Sequence, residues 1–209
     1  MKKFLSLVLA LLLALSFAGC SGSTAMTEAN VTATVDSAFD ALKRFDTKKL
    51  EKYVDSKTLS VIITYANKHD QFADLGKALF KNLEYSIESI DLDAKTVTVS
   101  VRNKDLKDTA SAFTKALVSK YSALQMLSLL NNETWLNTSL NSLTDSIAIA
   151  KMQSSPVSVT LTVTAGKKNL MLGFDDAAEN AVSGGALQAV KSLTSGLTGS
   201  KSTTESTSN

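Results

Sequence analysis

Between residues 157 and 163 the chain reads Val-Ser-Val-Thr-Leu-Thr-Val, apolar and polar in strict alternation. Residues 96–101, Thr-Val-Thr-Val-Ser-Val, repeat the pattern. Successive side chains of a strand point to opposite faces, so each run has one face to bury and one to wet. The later run passes through "AGKKN" to Leu170, Leu172 and Phe174, which predicts a hairpin. The earlier run follows "DAK", with Tyr85, Ile87 and then Ile90 or Leu92 before it. Two antiparallel pairs, each with a single apolar face, require something apolar laid against them.

The rest of the chain supplies helices for that purpose. Val31, Val35, Ala38, Phe39, Leu42 and Phe45 recur at spacings of three and four. Asp46-Thr47 and Asp55-Ser56 are helix-start signals, and Phe72, Leu75, Leu79 and Leu83 mark a further helix. From Asp105 a stripe of Leu106, Ala110, Phe113, Leu117, Tyr121, Leu124 and Leu127 runs to a break at Asn131-Asn132. Leu136, Leu140, Leu143 and Ile147 form a second stripe, which ends before Pro156. The two stripes read as a helical hairpin whose faces bury each other. A last helix begins near "DDAAENAV", where Asp176 and Glu179 have capping-box spacing, and Gly184-Gly185 kink it or admit a close neighbour. The expected class is α+β. It comprises one curved antiparallel sheet of about four or more strands packed on helices, with the 105–152 hairpin inserted, in a single domain over 29–197.

The start of the chain is of another kind. Lys2 and Lys3 precede an apolar run from Phe4 to Ala18, too short for the roughly 20 residues that span a bilayer. A basic pair, an apolar stretch and the small residues Ala18-Gly19 are the layout of a secretory signal. "SFAGC" resembles the lipobox of bacterial lipoproteins. That resemblance implies cleavage between Gly19 and Cys20, and a covalent diacylglycerol on the Cys20 thiol. Acyl chains contribute about 0.8 kcal/mol per buried CH₂, enough to hold a soluble domain on a bilayer. The implied location is the extracytoplasmic face of the cell membrane, with residues 20–28 as a lipidated tether. At the other end, residues 198–209 hold Ser or Thr at most positions and read as a disordered tail.

"VDSAFDALKRFDTKKLEKYV" and the ending "GGALQAVKSL" also resemble a group of small bacterial lipoproteins of the cystatin-like, or nuclear-transport-factor-2-like, cone fold. Most of that group has no known activity. The resemblance implies a cone whose inner face is lined by Val99, Val101, Val159, Leu161, Leu170 and Leu172.

Composition narrows the chemistry. Of 22 Lys and Arg, two lie in the leader; the remainder equal the 20 Asp and Glu. No basic stripe with interleaved aromatics is present, which argues against nucleic acid as a partner. One cysteine permits no internal disulfide, and one histidine, His69, supplies no paired metal or catalytic motif. His69 sits in a polar stretch between expected helices and reads as solvated. Asp91 and Asp93 read as turn residues, Asp175-Asp176 as a helix cap, and "NVT", "NET" and "NTS" as chance glycosylation matches. Trp135, near the tip of the helical hairpin, is the candidate for contact with a partner or membrane. The expectation is a non-enzymatic, lipid-anchored envelope protein without catalytic residues, metal or cofactor beyond the Cys20 lipid. It binds a small apolar ligand or an envelope protein. The alternatives are an envelope assembly or stress factor acting by surface contact, and a hydrolase or isomerase using Asp and Tyr in the cone.

Overall fold

The computed structural model describes residues 24–189. The expected leader, the expected cleavage and lipidation site at Gly19 and Cys20, and the segment 198–209 lie outside the described residues. The fold is α+β, with an open five-stranded sheet in the order β1-β5-β4-β3-β2.

Helix α1 (Glu28–Arg44) starts where the Thr27 hydroxyl accepts the Asn30 N–H at 3.3 Å. It ends where Phe45 turns left-handed at φ 50. Its apolar stripe lies across the sheet. Phe39 stacks on Tyr85 of β2 with centroids 4.4 Å apart, and its centroid lies 6.2 Å from that of Phe174, just past β5. Asp46 and Ser56 cap α2 (Thr47–Tyr53) and α3 (Lys57–Ala66), as their residue types predict. Between these helices Val54–Asp55 form β1, a two-residue edge strand parallel to β5 (Leu170–Gly173). This amends the expectation of a wholly antiparallel sheet. Two residues carry no alternation to read, and only the neighbouring strand makes them a strand. Helix α4 (Asp70–Phe80) follows.

Strand β2 (Glu84–Asp91) pairs antiparallel with β3 (Thr96–Arg102). A bulge at Glu88 shifts the register, so Ile87 faces Val99 and Ile90 faces Val97. The extra residue returns Ile90 to the inner face. The outer face is polar, with the Thr98 and Thr160 hydroxyls 3.2 Å apart.

β3 and β4 (Val157–Ala165) are antiparallel neighbours, so everything between them is one excursion from a strand connection. Its base is closed by Gln153 N–H to Asn103 C=O (2.9 Å) and Asp105 N–H to Lys151 C=O (2.8 Å). The excursion holds three helices, α5 (Lys107–Lys120), α6 (Ala123–Leu129) and α7 (Glu133–Ile149), where the sequence predicts two. Tyr121 is extended, and Ser122 with Gln125 forms a capping box that starts α6 afresh. Helix α7 has no basic residue in its last turn. Lys104 supplies the charge, its Nζ donating to the Ile147 and Ala148 carbonyls at 2.9 and 2.6 Å. The final named helix, α8 (Asp176–Val182), is capped by Asp175. Glu179 therefore does not close the capping box that its spacing predicts.

Candidate functional site

The two excursion stripes bury each other only in part. Helix α7 packs mainly along α4 and touches α5 less, and an apolar groove of about 420 Å³ lies among the three. Ile62 of α3 and Phe72, Leu75 and Leu79 of α4 line it. So do Phe113 and Leu117 of α5 and Leu140, Leu143 and Ile147 of α7. Val182, Phe174 and Leu42 complete the lining. The groove runs from Leu106 and Ile147, at the base of the excursion, to Leu117, Leu130 and Trp135 beside α6.

Four of its polar side chains, Ser56, Thr114, Glu179 and Ser183, meet partners within the protein. Thr114 donates to Ala110 C=O at 2.8 Å, and Ser183 to Asn180 C=O at 3.1 Å. Ser56 Oγ donates to the buried Glu179 carboxylate and accepts the Leu59 N–H at 3.0 Å. Glu179 also lies 3.4 Å from the Thr58 N–H, so it supports the first turn of α3 from across the fold. A surface of this kind has shape and dispersion to offer a ligand, with little polar discrimination.

The residues expected to line a cone interior are placed elsewhere. Val99, Val101, Val159, Leu161, Leu170 and Leu172 are buried in the main core, in one cluster with Val31, Val35, Phe39 and Leu42 of α1. The inner face of the sheet is filled by the protein's own helix, and the cavity lies one layer away. Val159 also borders a separate polar depression with Asp105, Lys107 and Asn180. Trp135 is half-buried at the far end of the groove, edge-on to Tyr121 with centroids 6.0 Å apart. The Trp135 indole, and then the Lys120 ammonium, hold the Tyr121 hydroxyl below its usual pKa.

Carboxylates do meet Tyr and His, though at neither of these cavities. Tyr85 donates to Asp36 at 2.8 Å; burial and then this bond push its phenol well above the ordinary value. His69 Nδ1 lies 3.0 Å from Glu133, whose other oxygen accepts from Gln71 at 2.9 Å. This pairing clasps the start of α4 to the start of α7, so His69 is not the free loop residue its surroundings predict. Among the described residues no group of three or more His, Cys, Asp or Glu is placed to hold a metal ion. No described helix is long and apolar enough to cross a membrane.

The clasp has a pH signature. The His69 hydrogen bond, and then Gln71, lower the Glu133 pKa below its ordinary 4.5. A depressed carboxylate contributes stability above the unfolded value and loses it as pH falls through the folded one. Glu133→Gln is therefore expected to lower the melting temperature slightly at neutral pH. The difference from the parent should vanish in acid, below the usual carboxylate range. Paired melting curves from pH 7 to pH 3 test this, and a constant offset counts against the clasp.

Residue types alone did not reveal Glu179 or Ser56 as a buried pair, because Glu179 has an equally good local reading as a cap. The groove-lining leucines were visible as stripes, but their mutual distance was not. No family model, curated protein or solved structure matches the chain.

Proposed function

We propose that this chain is a lipid-anchored protein of the extracytoplasmic membrane face that holds a small apolar ligand, without catalysing its conversion. The observation that carries the reading is the groove lined by α4, α5 and α7. Its volume of about 420 Å³ falls in the range of small-molecule sites, and its walls are almost wholly apolar. Left empty, such a surface forgoes the dispersion contacts that a hydrocarbon chain supplies. The anchor rests on the leader and on Cys20, and it keeps the protein beside a source of such molecules.

Native mass spectrometry of the chain from Ser21, which retains every residue of the described fold, tests the reading. The expected result is an adduct of defined mass that is lost on denaturation. Leu143→Trp, which places an indole in the groove, should abolish the adduct while circular dichroism stays unchanged. A bare mass, or an adduct equally abundant in that variant, counts against the groove as the site. Contact with an envelope protein is the second reading, favoured by the exposed Leu124 and Leu127.

A further inference from the structure

The end of the groove at Leu117, Leu130 and Trp135 adjoins α6. Leu124 and Leu127 are 81% and 60% exposed, three residues apart on the same side of α6. Together they present an apolar patch on the surface of α6. Residues 109–132 contain no Asp or Glu and two lysines, Lys115 and Lys120, in a chain with 20 acidic residues. The Lys120 ammonium lies 5.3 Å from the centre of the Tyr121 ring, which in turn meets Trp135 edge-on.

We propose that α6 and the turn before it dock on an anionic lipid bilayer, which sets the adjoining end of the groove against the lipid. Each feature matches that partner. Leucines enter the acyl boundary, Tyr and Trp occupy the interface, and lysines meet anionic headgroups. The stretch 109–132 carries lysines and no acid, and the neighbouring Glu133 is engaged by His69 and Gln71, which suits this surface better than a neutral protein face. The reading of the groove as an acyl-chain site gives this docking its purpose, and the proposal rests on it there.

The test mixes the chain from Ser21 with vesicles of phosphatidylcholine and phosphatidylglycerol. Binding is followed by co-sedimentation and by the fluorescence of Trp135, the one tryptophan of the chain. The parent is expected to bind with a blue shift. Leu124→Ser with Leu127→Ser is expected to weaken partition about tenfold or more. Lys115→Gln with Lys120→Gln should weaken it on vesicles containing phosphatidylglycerol and leave pure phosphatidylcholine unaffected. Equal partition of the parent and the leucine variant overturns the proposal. So does a dimer that the leucine variant dissolves while vesicles bind neither protein, which would assign the patch to a second copy. Titration with cis-parinaric acid, a fluorescent fatty acid, in the absence of vesicles reads the groove separately. Uptake there without vesicle binding leaves the ligand reading standing and ends the docking proposal. Vesicle binding through the leucines without uptake does the reverse.

Discussion

Asn103→Ala is expected to lower the melting temperature by about 10 °C, a loss of about 3–4 kcal/mol. Asn103 is wholly buried just past the end of β3. Its Nδ2 donates to Leu79 C=O at 2.9 Å and Val182 C=O at 2.7 Å, and its Oδ1 accepts the Lys104 N–H at 2.8 Å. One amide thus joins the last turns of α4 and α8 to the strand from which the helical excursion departs. Alanine removes three hydrogen bonds worth about 1 kcal/mol each and leaves carbonyls without their donor in a dry junction. Asn103→Asp should be at least as damaging, because a carboxylate has no proton to give two carbonyls. Thermal melts followed by circular dichroism decide it. A shift under about 3 °C would mean that water replaces the amide and that the junction is not sealed. Leu79 and Val182 line the groove, so ligand retention should fall along with stability.

Gly184→Ala is expected to cost about 3–5 kcal/mol. Gly184 sits at φ +61, a left-handed conformation that helices often use just beyond their last turn. The larger problem is space, since a Cβ there would lie 1.8 Å from the Lys104 carbonyl oxygen. Backbone must move to relieve that contact. The Gly184 carbonyl accepts the Leu106 N–H at 2.8 Å, so the movement also weakens the start of α5. Gly185→Ala is the milder control: φ is +85, but the nearest atom to its added Cβ is the Lys107 Cβ at 3.1 Å. Urea midpoints should rank the parent first, Gly185→Ala second and Gly184→Ala last. Equal midpoints for the two glycine variants would mean that conformation rather than the close approach sets the cost. Gly184 and Asn103 act on the same junction around Lys104. Their effects should therefore combine to less than the sum of the two, which a double-mutant cycle measures.

Much of the fold was legible because its signals are local. Val97, Val99 and Val101 alternate with hydroxyl residues, and the strand pairs follow from that period and from the two turns. The stripe of α1 and the caps at Asp46 and Ser56 were equally plain. The excursion was bounded nearly where it occurs, since period 2 gives way to period 3.6 at one end and returns after Pro156 at the other. Errors arose where one residue had two sound local uses. Tyr121 continues the stripe of α5 and also ends that helix, because the capping box at Ser122 is the stronger local signal. Glu179 has the spacing of a cap, yet its carboxylate is taken by Ser56, 123 residues away.

The sequence by itself determined the class of the fold and the inward residues of the strands, and it holds the apolar N-terminal run and lone cysteine on which the anchor proposal rests. Only the tertiary structure decided where the cavity lies. An apolar stripe states that a helix must bury one face, but not against which neighbour or how tightly. Here α1 fills the sheet and α7 packs on α4, so α5 lacks a full partner and the space beside it becomes the groove. That outcome depends on the junction at Asn103, Lys104 and Gly184, where contacts between residues as much as 79 positions apart set the angle at which the excursion leaves the sheet. No period or spacing encodes such an angle, because it arises from the packing of several elements at once.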